Sequence, residues 1–167
     1  MKVAIGLGTS LALQRHGEGR VAARAAQLSL AVRQLDATPG LHLLRVSPWV
    51  STPPLRGGTA RGLFLNGVAL FTSTLAPQAV LRRCIALEEA AGRRRARWWG
   101  DRTLDLDVLM VEGVVLDEER LVLPHPAIAD RPFVLGPLLA VWPDAIDPRD
   151  GSSWGARPSP RGPRPVH

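Results

Sequence analysis

Apolar positions recur along this chain with two periods, and the switches between them mark out its elements. KVAIGLG (2–8) is a short apolar run closing on glycine, as a buried strand does. Over 18–36, Val21, Ala25, Leu28, Val32 and Leu35 fall on one helical stripe, and Thr38, Pro39 and Gly40 end it. LHLLRVSPWV (41–50) reads as a strand whose Pro48 points to an edge or a bulge. LFLNGVALFTS (63–73) predicts a further strand. Pro77 then suits the first turn of a helix reaching about Ala91, with Gly92 as its C-terminal cap. TLDLDVLMV (103–111) is the next strand, Glu112 and Gly113 form a turn, and 114–116 is expected to return along that strand as a hairpin. Beyond 117 the pattern gives a short strand at 121–123 and short helices divided by Pro124, Pro126, Pro132, Pro137 and Pro143.

The resulting order, β-α-β-β-α-β followed by C-terminal additions, predicts an α+β protein of ferredoxin-like architecture, with helices on one face of an antiparallel sheet. Such a fold assigns no activity by itself. Composition changes after Asp147, where DPRDGSSWGARPSPRGPRPVH holds few apolar residues. Residues 1–147 are therefore expected to form one domain and 148–167 a disordered tail.

Charge and cysteine content narrow the function classes. The net charge is +6, but residues 151–167 contain three arginines and no acid, leaving 18 basic against 15 acidic residues in the first 150. Positive charge instead gathers in GRRRARWW (92–99), which favours a local anion site over a surface built for nucleic acid. Lys2 is the only lysine, so the P-loop and the protein-kinase strand lysine are excluded. No apolar run has membrane-spanning length, and Gly6, Gly8, Thr9 and Ser10 interrupt the opening too early for a signal peptide. A lone cysteine, Cys84, forbids an intrachain disulfide and suggests a reducing, cytoplasmic setting and a buried, inert thiol.

The densest chemistry lies in RWWGDRTLDLD (97–107). Alternate residues of a strand share a face, so Asp105 and Asp107 project together about 6.5–7 Å apart while Leu104, Leu106 and Val108 face the core. Alone, such a pair reads more readily as a solvated strand face than as a metal site. Here Arg93, Arg94, Arg95 and Arg97 precede it, and Arg102 lies three residues before Asp105. Guanidinium groups beside a carboxylate pair suit a polyphosphate carried with Mg²⁺. Trp98 and Trp99 favour a flat ring nearby over a merely solvated loop.

With STPPL (51–55), FLNGVAL (64–70), ERLVLPHP (119–126) and RPFVLGPL (131–138), this segment resembles the 6-hydroxymethyl-7,8-dihydropterin pyrophosphokinases of folate biosynthesis, from Lys2 to about Asp147. The resemblance implies transfer of pyrophosphate from ATP to the pterin hydroxymethyl group with release of AMP. It implies pterin contacts from Thr52, Pro53, Leu55, Phe64 and Asn66, with Trp99 and Phe133 sandwiching the ring. Asp105 and Asp107 would hold two Mg²⁺ ions with ATP, Arg93 and Arg102 would stabilise the transferring group, and Glu88, Arg95, Arg120, His125 and Arg131 would line the nucleotide site. A monomer acting on these small molecules, without nucleic acid or membrane, is implied as well. The chain departs from the family pattern at Trp98, where an arginine is usual, at Asp101, where a proline is usual, and at Ile85, which replaces a frequent glutamine.

Three other readings weigh less. GLGTSL lacks the third glycine of a dinucleotide fingerprint, Leu11 standing in its place. RNA binding by a ferredoxin-like sheet wants an aromatic strand, and the chain has no tyrosine and only three phenylalanines, none in such a run. A Mg²⁺-dependent nucleotidyltransferase would also use an Asp-x-Asp pair, and would release pyrophosphate instead of AMP.

Overall fold

The computed structural model of the protein describes residues 1–10, 19–52, 64–92 and 104–157. Its core is the βαββαβ unit: β1 (Lys2–Ser10), α1 (Gly19–Asp36), β2 (Leu41–Val46), β3 (Val50–Thr52), β4 (Phe64–Ser73), α2 (Pro77–Ala90) and β5 (Asp105–Val111). The sheet runs β2-β4-β1-β5 with β3 also on β4, and every pairing is antiparallel. β1 is thus central and β5 lies at the sheet's outer edge. This is the ferredoxin-like order the periodicity predicts.

The apolar stripes account for the layers. Leu28, Val32 and Leu35 of α1 and Val80, Cys84 and Leu87 of α2 are buried against Val3, Ile5, Leu7, Phe71 and Val108 on one face of the sheet. Removing such side chains from water contributes about 1.5–3 kcal/mol each. Pro77 opens α2, and Gly92, at φ +88°, follows it in the left-handed conformation that glycine adopts cheaply.

The opposite face is covered too. α3 (Ala127–Asp130), α4 (Pro132–Val141) and a short 3₁₀ turn at Trp154–Ala156 bring Ile128, Leu135, Leu138, Val141 and Trp154 onto Ala4, Val68, Leu70, Leu109 and Met110. The one-sided arrangement expected from the core motif is therefore completed into a sheet covered on both faces.

Three local readings are corrected. The strand expected over 41–50 is two, because Ser47-Pro48 leaves the ladder; the Ser47 N–H donates to Val68 O and its Oγ accepts from Val68 N, both at 2.9 Å. Residues 114–116 do not return along β5. Instead β6 (Leu116–Glu118) pairs with β7 (Leu121–Leu123) in a separate two-stranded sheet. Nor does order stop at Asp147: its carboxylate is fully buried and bound by Arg149 and Arg157, and Trp154 is fully buried in the second core. One large indole anchors a segment whose average composition is too polar to predict packing. Residues 158–167 of the expected tail lie outside the described residues.

Candidate active site

The site forms where strand alternation brings three strands into one row. Gly8 in β1 stands opposite Asn66 of β4 on one side and Asp105 of β5 on the other. One pair along, Gly6 stands opposite Val68 and Asp107. Asp105, Asp107, Asn66 and both glycines therefore look out from the face that α3 and α4 cover. Leu104, Leu106 and Val108 are buried in the first core, as the alternation predicts. A bulge follows: Val108 pairs with Ile5 and Met110 with Ala4, leaving Leu109 as the extra residue. Leu109 and Met110 consequently both join the second core, and the row of carboxylates ends there.

The missing side chains of β1 shape the floor. A Cβ on Gly8 would stand 3.1 Å from Asn66 Oδ1 and 3.9 Å from Asp105 Cβ. Glycine keeps open the trough between amide and carboxylate. Above it is an open cleft whose lining includes Asn66, Asp105, Asp107, Arg131 and Phe133. Five expected site residues from three parts of the chain thus meet in one cavity.

Neighbouring contacts fix several of these groups. The Thr52 Oγ1 accepts from Asn66 Nδ2 at 2.9 Å, which settles the amide's orientation and leaves Oδ1 toward Gly8. Thr52 pairs across the strands with half-buried Phe64. Arg131 immediately precedes α4, Phe133 lies in its first turn, and the guanidinium stands 6.0 Å from that ring's centroid. The His125 N–H donates to Leu109 O at 2.7 Å, tying its loop to the β5 bulge. Its Nδ1 accepts from Ala127 N at 3.1 Å, so in the neutral ring the proton belongs to Nε2, a donor.

Three expected nucleotide contacts, Glu88, Arg120 and His125, are not among the residues lining this cleft. Glu88 is buried, 3 % exposed, and its Oε1 accepts the Leu106 N–H at 2.8 Å. Arg120 is exposed beyond β6. Pro53, Leu55, Arg93, Arg95, Trp99 and Arg102 lie outside the described residues, as do Trp98 and Asp101. Among the described residues, no three or more His, Cys, Asp or Glu groups come together as a cation site, so the carboxylates stand as a pair.

Burial pushes the Cys84 thiol up to about 12, and the nearby charges of Glu88 and Asp107 add to the effect. Cys84 is thus an inert core residue. Sequence reasoning missed the roles of Gly6 and Gly8; their i, i+2 spacing in the first strand was the available signal, and it looked like a failed dinucleotide fingerprint.

Fold and cleft together define the class: a ferredoxin-like α+β enzyme whose carboxylate pair and amide share one face of the sheet. The chain belongs to the 7,8-dihydro-6-hydroxymethylpterin-pyrophosphokinase (HPPK) family, whose profile matches residues 4–143. It is 43% identical over 123 residues to the 2-amino-4-hydroxy-6-hydroxymethyldihydropteridine pyrophosphokinase of Methylorubrum extorquens, covering 74% of this chain and 77% of that protein. The Pseudomonas aeruginosa protein of the same name is 37% identical over 143 residues, 86% of this chain and 82% of the relative. That of Synechocystis is 36% identical over 123 residues, 74% of this chain and 62% of the relative.

Proposed function

We propose that this chain is a pterin pyrophosphokinase of folate biosynthesis. It transfers the β,γ-pyrophosphoryl group of ATP to the hydroxymethyl group of 6-hydroxymethyl-7,8-dihydropterin and releases AMP. Family membership supports the reaction. The row Asn66–Gly8–Asp105 supports its location, because it sets an amide for a polar ring edge beside carboxylates for a metal–phosphate group, with no side chain between them.

In this reading the pterin lies over the Gly8 trough. Asn66, braced by Thr52, hydrogen-bonds its polar edge, and Pro53, Leu55 and Phe64 border it. Phe133 covers one side of the ring and Trp99 the other. Asp105 and Asp107 fit Mg²⁺, since both are hard oxygen donors on one face and the remaining positions suit ATP oxygens and water. Bound with ATP, two such ions would neutralise the phosphates and polarise the phosphorus under attack.

The hydroxymethyl oxygen attacks the β-phosphorus, the bond from that phosphorus to the α–β bridging oxygen breaks, AMP departs with that oxygen, and the hydroxyl proton passes to water. Side chains do no covalent work here; they align the two substrates and stabilise spread negative charge. Arg93 and Arg102 serve the transferring group, and Arg95, Arg120, Arg131 and the Nε2–H of His125 serve the nucleotide. The reading includes a monomer acting in the cytoplasm on small molecules. Among the described residues no helix is long and apolar enough to cross a membrane.

Product identity tests this function. With Mg²⁺, ATP and the pterin, the expected products are AMP and the pterin diphosphate. Release of free pyrophosphate with an adenylylated pterin would place the chain among nucleotidyltransferases instead.

A further inference from the structure

β5 carries the carboxylates at the outer edge of the sheet, where among the described residues no strand pairs with its outward N–H and C=O groups. Beside the carboxylates, a helix side chain takes that place. The amide of Leu106, the residue between Asp105 and Asp107, donates to Glu88 Oε1 at 2.8 Å in a buried setting. A carboxylate only 3 % exposed needs such bonding to be tolerated, and a charged acceptor makes a backbone hydrogen bond stronger. α2 is itself held against the sheet by Val80, Cys84 and Leu87, so the acceptor is mounted on a packed element. Its partner amide belongs to the Asp105–Leu106 peptide, between the two aspartates' strand positions.

We propose that Glu88 is a positioning residue for the carboxylate pair: it braces the β5 edge at Leu106 and so holds Asp105 and Asp107 in register for the metal–phosphate group. This assignment rests on the function proposed above and replaces the nucleotide contact expected for Glu88. The geometry requires an acceptor oxygen at this position; a negative charge is secondary.

Glu88→Gln keeps the acceptor, and Glu88→Ala removes it. Three quantities distinguish the outcomes: Mn²⁺ binding followed by electron paramagnetic resonance with a non-hydrolysable ATP analogue, hydrogen exchange at the Leu106 amide, and pterin affinity. In Glu88→Ala, Mn²⁺ binding should weaken about tenfold or more, as for other residues that orient metal ligands. Leu106 exchange should accelerate and pterin affinity should stay unchanged. Glu88→Gln should bind Mn²⁺ within about threefold of wild type, the range expected when the bond survives. Wild-type-like Mn²⁺ binding in Glu88→Ala would overturn the proposal. So would a tenfold loss in Glu88→Gln, which decides the matter even where Glu88→Ala does not fold. Failure of the wild-type protein to bind Mn²⁺ with the analogue would instead overturn the metal reading itself, and the positioning role with it.

Discussion

A methyl group at position 8 would stand 3.1 Å from Asn66 Oδ1, close enough that the amide must shift by a few tenths of an ångström. Because Thr52 Oγ1 holds the Asn66 amide, that shift strains an existing hydrogen bond. Gly8→Ala is therefore expected to weaken pterin binding about tenfold, or ~1.4 kcal/mol, in a fluorescence titration. Its melting temperature should change by only a few degrees. The residue scale also shows what alternation can and cannot reveal. Asp105 and Asp107 announce their shared face in the sequence, since Leu104, Leu106 and Val108 interleave with them. Glu88 does not announce its role, because a helix sequence cannot say which strand edge a side chain reaches.

Cys84 gives a pH prediction at the same scale. Its folded thiol stands at about 12 against an ordinary 9.0, so folding favours the protonated form. That contribution is whole below pH 9 and is lost as pH rises toward 12, where the unfolded chain sheds a proton the folded chain keeps. Denaturant unfolding of wild type and Cys84→Ala at neutral pH and at about pH 10.5 should show the wild-type advantage shrinking at the higher value.

At the scale of elements, the segment after Asp147 is the main departure from sequence expectation. The buried Asp147 carboxylate takes Arg149 Nε at 2.9 Å and Nη2 at 2.7 Å, and Arg157 Nη2 at 2.6 Å. The Arg157 guanidinium lies 4.2 Å, and that of Arg149 5.8 Å, from the centroid of the Trp154 ring. A window average sees only prolines, arginines and small residues there; the packing depends on one indole and one carboxylate. Trp154→Ala should cost about 3–5 kcal/mol by chemical denaturation, the range for emptying a buried aromatic site. The bond from Arg149, with Arg157 nearby, holds the Asp147 carboxyl below its ordinary 3.8. Its contribution is therefore present above that value and lost as pH falls through the lower folded one. Asp147→Asn should accordingly flatten the acid limb of the stability profile. Helices were easier to read: α1 buries Leu28, Val32 and Leu35 of the stripe its spacing marks, and Pro77 and Gly92 fall at the ends of α2. β6 was misplaced because a short apolar run shows neither its partner nor its sheet.

Across the whole molecule, the ferredoxin-like core provides the row of positions and the C-terminal additions provide its roof. Helices α1 and α2 bury one face, leaving the other for Asn66, Gly8 and the aspartates, with Arg131 and Phe133 brought over from α4. The element order was legible in the periodicity, and the carboxylate pair in its alternation. The cleft itself was not, since it depends on how α4 crosses the sheet and on a bulge at Leu109 that no local pattern marks. Asn66, Gly8 and the aspartates form the row proposed to carry pyrophosphoryl transfer. Its most direct test is AMP formation from Mg·ATP with and without 6-hydroxymethyl-7,8-dihydropterin, in wild type and Asp107→Asn. We predict pterin-dependent AMP release that falls at least about a hundredfold in the variant, ~2.7 kcal/mol in the barrier. AMP release that ignores the pterin, or a folded Asp107→Asn protein as active as wild type, would rule out pyrophosphoryl transfer by this row.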